Sequence, residues 1–287
     1  MPQLKRNLKL SGEQMEMVTI KRTAAAGAAW VLTFLIISCA TAQQDLSHGK
    51  ELMEGDKAKS AEFVKFLGEF NAGSPDTINS AFTADGETSG KKFKVEGRTI
   101  YDKKGYYFLS MKDFVFRSPV IDVYREAENL YFYYPAENKL IIDDVNKIDL
   151  YSYSGFKADY SFIQDLFTGR IPLIKGYTVS RLLKEEDSAY YLILENSDYF
   201  ENIYFKDGAP EKILLMHKES KNKVEIYLKS VVIKDKSYFF REVKIIAPGL
   251  GVTIHLSFSN PALNGNVKVP GIDPLKKKKG IQVIKVN

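Results

Sequence analysis

The sequence predicts a mainly β protein with two helices, folded as an unclosed antiparallel β-barrel of about 11–13 strands. Aromatic residues make up 13% of the chain, with 17 Tyr and 18 Phe, and such side chains favour strands. Short apolar–polar alternations follow one another, separated by turn residues, with the spacing of an antiparallel meander. Two stripes of helical period interrupt these runs. We expect the helices to cover the concave face of the curved sheet, where their apolar sides can be buried.

The chain begins with the features of an export signal. Lys21 and Arg22 precede a mostly apolar stretch, residues 23–38, and Cys39 follows directly. This stretch is short for a membrane-spanning helix, which needs about 20 apolar residues. Residues 1–38 are therefore predicted to be a signal peptide. Met15 or Met17 as the true start would give this signal a normal length.

The end of this signal resembles the lipobox of bacterial lipoproteins, in the run Ile36-Ile37-Ser38-Cys39. The resemblance implies a covalent diacylglycerol on Cys39, cleavage before it, and an N-acyl lipid on the new amino group; no other cofactor is expected. Two acyl chains anchor a protein stably, whereas one binds membranes only marginally. Two alternatives stay open: ordinary cleavage after the motif at 40–42, Ala-Thr-Ala, and an uncleaved anchor.

Cys39 is the only cysteine, so the chain can form neither an internal disulfide nor a thiolate metal site. The next residue is Ala40 and not Asp, which in enterobacterial sorting permits export to the outer membrane. We therefore expect a lipid-anchored protein of the cell envelope, at the outer membrane. The anchor's partner is membrane lipid.

Residues 39–55 are predicted to be a flexible tether, and residues 56–287 a single folded domain. The tether is polar and lacks periodicity, with a reach of about 20–25 Å if it behaves as a coil. The first helix is predicted at 57–71, with Asp56 as its N-cap. One apolar stripe runs along it at helical spacing: Phe63, Phe66, Leu67 and Phe70.

Thirteen strands are predicted from alternation and turn signals. Asp85-Gly86 and Ser89-Gly90 are interpreted as turns. Six strands follow the first helix, at 77–85, 92–101, 105–111, 114–124, 129–134 and 138–143. Seven more are predicted at 176–184, 188–196, 199–206, 211–219, 222–234, 237–247 and 251–259.

A second helix is predicted between the two sets of strands, at 159–169, with Gly169 as its C-terminal stop. Its apolar face consists of Phe162, Ile163, Leu166 and Phe167. The segment 159–172, Asp-Tyr-Ser-Phe-Ile-Gln-Asp-Leu-Phe-Thr-Gly-Arg-Ile-Pro, resembles the central helix and following turn of the receptor in the LolA/LolB family.

The order of elements over 57–259, behind a lipobox-like signal, resembles the LolA/LolB family, the carrier and receptor of bacterial lipoproteins. The resemblance implies an unclosed β-barrel with helices over an apolar cavity that binds acyl chains or other lipoproteins. A lipidated chain is more similar to the receptor than to the soluble carrier. The resemblance makes the helix residues lipid-contact candidates: Phe63, Phe66, Phe70, Phe162, Ile163, Leu166 and Phe167.

The receptor also carries a protruding apolar loop between two early strands, and the comparable place here is 111–119. Phe114 and Phe116 are candidates for membrane or partner contact; the alternative is that they are core residues of a strand. At the C-terminus, the lysine run 276–279 is followed by 280–287, which is consistent with an added edge strand. The lysines are interpreted either as attracting anionic lipid or as a solvated turn.

The sequence argues against an enzyme and against a nucleic-acid partner. His48, His217 and His255 lack metal-ligand spacing, and no catalytic or phosphate-binding motif is present. The formal net charge is +5, but five basic against two acidic residues in 1–38 contribute +3 of it. The remaining +2 is too little for the dense basic face that nucleic acid requires.

Two functions remain open. The first is a protein that binds acyl chains or lipoproteins and acts in lipoprotein sorting and insertion. The second is a non-catalytic envelope or surface lipoprotein that uses the curved sheet for protein–protein interaction. The interior distinguishes these two functions. If large strand residues fill the space that faces the central helix, transport of acyl chains or lipoproteins is disfavoured.

Overall fold

The computed structural model describes residues 53–54, 57–148, 160–185, 188–234 and 237–286. Within this part of the chain, fifteen strands form one sheet in the order β1-β8-β9-β10-β11-β12-β13-β14-β2-β3-β4-β5-β6-β7-β15. Every neighbouring pair is antiparallel except β15 with β7. Because β1 and β15 are separate edges, the sheet is unclosed, and the predicted fold class is confirmed.

The helices and strands have the following bounds. The helices are α1 (Lys57–Ala72), α2 (Tyr160–Phe167) and α3 (Asp273–Lys276), with a 3₁₀ turn at Pro248–Leu250. The first strands are β1 (Met53–Glu54), β2 (Thr77–Thr88), β3 (Lys91–Asp102), β4 (Tyr106–Asp113), β5 (Pro119–Glu126), β6 (Asn129–Tyr134) and β7 (Lys139–Asp144). The remaining strands are β8 (Thr178–Lys184), β9 (Tyr190–Glu195), β10 (Tyr199–Lys206), β11 (Ala209–His217), β12 (Lys223–Lys234), β13 (Ser237–Ala247), β14 (Val252–Leu263) and β15 (Gln282–Lys285).

The thirteen predicted strands correspond to β2–β14, but the turn at Asp85-Gly86 is wrong. Strand β2 runs straight through this dipeptide, and Gly86 lies opposite Ile254 of β14. A Cβ on Gly86 would overlap the carbonyl oxygen of Thr253. This glycine therefore permits a close approach of two strands, and the hairpin turn lies at Ser89-Gly90, where both φ angles are positive.

The predicted strand 114–124 is wrong in its first part, because β5 begins only at Pro119. The Asp113 carboxylate accepts hydrogen bonds from the backbone N–H groups of Val115, at 2.9 Å, and Phe116, at 2.7 Å. This side-chain turn provides the backbone with an alternative to the strand ladder. The alternation of apolar residues in this segment consequently does not reflect a strand.

The two edges of the sheet add strands to those predicted. Met53 and Glu54 were assigned to the flexible tether, which is wrong for these two residues, because they pair with Lys184 and Leu183 as β1. At the opposite edge, β15 pairs with β7, which confirms the predicted C-terminal edge strand. The predicted signal 1–38, the lipidation site Cys39, the rest of the tether and the N-cap Asp56 lie outside the described residues.

The core is divided between the two faces of the sheet. On the concave face, inward side chains of β2–β6 and β8–β14 form one cluster with buried residues of α1 and α2. On the outer face, Tyr124, Tyr131, Tyr133 and Leu140 form a second, smaller cluster around Ile272, which is completely buried. The C-terminal segment thus crosses the outside of β5–β7 before it adds β15 to the edge.

Candidate functional site

The central helix α2 lies on the concave face with the predicted apolar side inward. Phe162 and Leu166 are buried, and Ile163 and Phe167 are partly buried against the main core. The helix stops as predicted, since Gly169 adopts a positive φ of 68°. A Cβ at this position would overlap the ring of Phe239, so the glycine also allows the helix end to rest on β13.

Aromatic rings fill the contact between α2 and the sheet. The Phe167 ring lies 5.5 Å from that of Phe82 on β2 and 6.5 Å from that of Phe258 on β14, both edge-to-face. Phe258 in turn contacts Phe239 at 5.1 Å. The sheet residues that face the end of the helix are therefore large, and in this conformation they occupy the space beneath it.

The first helix contributes a second group of ring contacts at the other side of the concave face. Phe63 stacks on Phe205 of β10 with 4.2 Å between ring centroids. Phe70 stacks on Tyr238 and Phe240 of β13, at 4.9 Å and 5.1 Å.

Phe66 lies between these groups, 6.1 Å from Phe205 and 6.0 Å from Phe70. The structure thus brings the seven candidate residues of α1 and α2 into one interior. Their role as lipid contacts stays a prediction.

The interior also contains a buried acid that the sequence analysis did not single out. Glu201 of β10 is completely buried, and its Oε2 accepts a hydrogen bond from the backbone N–H of Ile174 at 3.0 Å. Its Oε1 finds no hydrogen-bond partner among the described residues. Burial raises the pKa of this carboxyl to about 8, so at neutral pH Glu201 is mostly the uncharged acid.

Two more polar residues, Gln164 and Asp165, connect α2 to its surroundings. Gln164 is buried, and its Oε1 accepts a hydrogen bond from Arg125 Nη1 of β5 at 2.7 Å. Burial raises the pKa of Asp165 to about 6, although Arg170, 3.9 Å away, opposes the shift. Arg170 also donates a hydrogen bond from Nη2 to the hydroxyl of Tyr101 at 2.8 Å. The helix is consequently oriented by polar as well as apolar contacts.

Simple spacing could have indicated two of these missed residues. Glu201 alternates with apolar residues, at 199, 203 and 205, that all point inward. Gln164 lies four residues after Tyr160 and three before Phe167, on the same side of α2. Their partners Ile174 and Arg125 could not have been found from the sequence, because they belong to distant segments.

The candidate loop residues Phe114 and Phe116 lie apart from this interior, in the turn between β4 and β5. Val115 is 75% exposed and Phe116 82% exposed, so Phe116 is not a core residue of a strand. The Phe114 ring is half-buried, with Lys94 Nζ 4.2 Å from its centroid. Arg117 adopts a positive φ of 57° and forms an ion pair with Glu96. The loop therefore holds two apolar side chains out in solvent by means of fixed polar contacts.

The described part of the chain contains no group of three or more His, Cys, Asp or Glu residues placed to hold a metal ion. No helix in this part is long and apolar enough to cross a bilayer. The chemistry that the described residues offer is thus an aromatic interior, a buried neutral acid and an exposed apolar loop.

Comparison with known proteins identifies the fold. No family model and no curated protein sequence matches the chain. Among solved structures, it is similar to a LolA superfamily protein from Nitrosomonas europaea, with 11% identity and a TM-score of 0.50 over 75% of this chain and 97% of that one. The chain therefore has the same fold as this solved structure.

Two further solved structures agree. A candidate outer membrane lipoprotein-sorting domain from Vibrio parahaemolyticus is 11% identical, with a TM-score of 0.53 over 74% of this chain and 95% of that one. A DUF1329 family protein from Desulfovibrio piger is 10% identical, with a TM-score of 0.52 over 78% and 98%. The resemblance to the LolA/LolB family that the order of elements predicted is thus confirmed in the fold.

Proposed function

We propose that this chain is a membrane-anchored lipoprotein of the cell envelope that binds acyl chains, of lipids or of other lipoproteins, between its helices and the concave face of its half-barrel. Diacylglycerol and an N-acyl group on Cys39 are the proposed anchor. The proposed process is lipoprotein sorting and insertion at the outer membrane. No catalytic step is involved.

The observation that supports this proposal best is the chemistry of the surface between α1, α2 and the sheet. Phenylalanine rings dominate it, and acyl chains need such a dry, apolar environment. The completely buried carboxyl of Glu201 on this face has a pKa of about 8, so it carries little charge at neutral pH. The surface is therefore compatible with hydrocarbon.

Acyl binding requires a change in this conformation, because rings occupy the space under α2. Phe167 contacts Phe82 and Phe258 edge-to-face, and each such contact contributes only about 0.5–1.5 kcal/mol beyond the buried area. In the proposal, an acyl chain replaces these ring contacts while α2 moves away from β2 and β14. The same apolar side chains then stay buried, but they contact an acyl chain instead of each other.

Native mass spectrometry of the chain from residue 43 onward tests the proposal. We expect it to retain acyl lipids from the expression host. Phe162→Asp, on the buried side of α2, should abolish this binding, because it would place a charge against hydrocarbon. Ser161→Asp, on the same helix but only partly buried, is the matched control and should retain the lipid.

A second candidate function is favoured by the same filled interior. If the rings stay in place, the protein is a non-catalytic envelope lipoprotein that binds a protein partner through its curved sheet or its exposed 113–118 loop. A wild-type chain that remains empty after incubation with phospholipids and acylated peptides would favour this alternative over acyl binding.

The anchor has its own test. Cys39→Ala should remove metabolic fatty-acid labelling and release the protein from the membrane fraction. Cys39→Ser, which resembles cysteine in size but lacks the acceptor sulfur, should behave in the same way. Unchanged labelling in either variant would disprove the proposed anchor.

A further inference from the structure

The two rims of the half-barrel expose different apolar groups. The rim that carries the 113–118 loop, called the loop rim, holds the exposed Val115 and Phe116. The other rim, called the hairpin rim, holds the C-terminal ends of β8, β10 and β12. The antiparallel pairing from β8 through β14 and β2 to β4 places these strand ends opposite the loop.

The β12–β13 hairpin projects from the hairpin rim. Strand β12 pairs with β11 only as far as Tyr227, but it pairs with β13 as far as Lys234 and Ser237. Within the projecting part, Val231 is 43% exposed and Ile233 is 66% exposed. Their cross-strand partners are Phe240 and Tyr238, so both point to the same face of the hairpin. The result is an exposed apolar surface at the end of the sheet.

Two lysines flank this surface along β12, and Glu242 lies directly across the strands from the first of them, Lys229. Lys229 and Lys234, on either side of Val231 and Ile233, are both exposed. Lysine side chains can lay their aliphatic stems along apolar surface while the ammonium groups stay at the level of lipid headgroups. An apolar centre with a cationic border is complementary to an anionic bilayer surface.

The start of the described chain lies on the same rim. Met53 of β1 pairs with Lys184, at the C-terminal end of β8. Cys39 precedes Met53 by fourteen residues, so the described chain leads back towards Cys39 from the hairpin rim. The twelve residues of β2 alone extend about 40 Å between the rims. The point from which the chain leads to Cys39 therefore lies at the hairpin rim and far from the loop rim.

We propose that Val231 and Ile233 dock the protein on the bilayer that holds its own lipid anchor, with Lys229 and Lys234 at the anionic headgroups. This inference rests on the proposed lipidation of Cys39. It goes beyond acyl binding, because it fixes the orientation of the half-barrel. The loop with Phe116 then points away from the anchoring bilayer.

Site-specific fluorescence can test this orientation, because Cys39 is the only native cysteine. The full chain is expressed with Ile233→Cys or Phe116→Cys, purified from membranes, labelled with bimane and placed in nanodiscs of phosphatidylethanolamine and phosphatidylglycerol. We expect brominated lipid to quench the label at position 233 and not the label at position 116. Quenching only at 116, equally at both positions, or at neither would overturn the proposal.

Vesicle binding of the chain from residue 43 onward, which lacks both Cys39 and the apolar stretch 23–38, separates this proposal from the anchor and from acyl binding. We expect weak binding to phosphatidylglycerol vesicles, reduced about tenfold by Val231→Ser with Ile233→Ser. Lys229→Gln and Lys234→Gln should each reduce it by about fivefold. The matched control, Val115→Ser with Phe116→Ser on the loop rim, should bind like the parent chain. Loss of binding in the control but not in the hairpin variant would overturn the proposal, even if the wild-type chain is lipidated at Cys39 and binds acyl ligand.

Discussion

The side chain of Asn71 makes two hydrogen bonds to the backbone of Ile171, one hundred residues further along the chain. Its Nδ2 donates to the Ile171 carbonyl oxygen at 2.8 Å, and its Oδ1 accepts from the Ile171 N–H at 3.0 Å. Asn71 lies at the end of α1, and Ile171 follows the turn after α2. One amide therefore joins the two segments that cover the concave face.

Replacing Asn71 with Ala should lower the free energy of unfolding by about 1–3 kcal/mol, because both backbone groups of the buried Ile171 would lose their partner. Urea denaturation followed by circular dichroism measures this change. Asn266→Ala, at an exposed position, is the control and should change the stability by less than about 0.5 kcal/mol. Equal effects of the two substitutions would contradict a stabilising role for the two hydrogen bonds between Asn71 and Ile171.

Glu201 should make the protein less stable as the pH rises. Its pKa is about 8 in the folded state against 4.5 for an ordinary glutamate, so between these values the folded state holds a proton that the unfolded state releases. The stability that this proton contributes is present at low pH and is lost as the pH rises towards 8. The slope is at most about 1.4 kcal/mol per pH unit.

Glu201→Gln keeps an acceptor for the Ile174 N–H but cannot titrate, so it isolates this effect. We expect the stability of the wild type, measured relative to the Gln variant in urea, to decrease between about pH 5 and pH 8. A difference between the two proteins that stays constant over this range would contradict a raised pKa for Glu201.

Gly169→Ala should destabilise the protein through two separate effects. A positive φ costs a residue with a Cβ about 1–2 kcal/mol. The added methyl group would also overlap the Phe239 ring. Gly176 has a similar φ of 62° but open space around it, so Gly176→Ala measures the backbone cost alone. Thermal unfolding should show a larger loss at 169, by about 1–3 kcal/mol, and a Phe239→Leu background should reduce that excess.

Ile272→Ala should loosen the C-terminal segment from the outer face of the sheet. Ile272 is completely buried in the second cluster, and truncation of such a residue costs about 2–5 kcal/mol. Hydrogen exchange should become faster at the amides of Gln282 and Val286, which bond to Asn138 and Ile142. Val283→Ala, at a position 52% exposed on β15, should leave this protection nearly unchanged. Faster exchange in both variants would point to general destabilisation.

Local patterns in the sequence were sufficient for most of the fold. Alternation predicted β2–β14, and helical spacing predicted both interior helices, because each pattern reports which side of an element is buried. Gly169 was identified as a helix stop from its position alone. The same local signals failed where the role of a residue depends on a strand that is distant in the sequence. Asp85-Gly86 has the composition of a turn, yet Gly86 allows β14 to approach β2.

The candidate site was only partly predictable. The seven helix residues were identified by their spacing, and all contact the interior. The alternation of Phe114 and Phe116 did not reveal that Asp113 folds this segment into a turn. Likewise, the residue pattern around Val231 and Ile233 predicts an ordinary strand. Beyond Tyr227, however, β12 pairs only with β13 and no longer with β11, which no feature within 223–234 encodes.

The sequence by itself determined the strand and helix pattern, and hence an unclosed β-barrel with two helices inside, while the signal with its lipobox-like end stays a prediction. These features depend on side chains a few residues apart. Only the tertiary structure decided that Asn71 meets Ile171, that Glu201 is buried without a charged partner among the described residues, and that the C-terminal segment crosses β5–β7. It also decided that Met53 and the β12–β13 hairpin share a rim. These relationships arise from the curvature and stagger of the sheet, which bring together residues far apart in the chain.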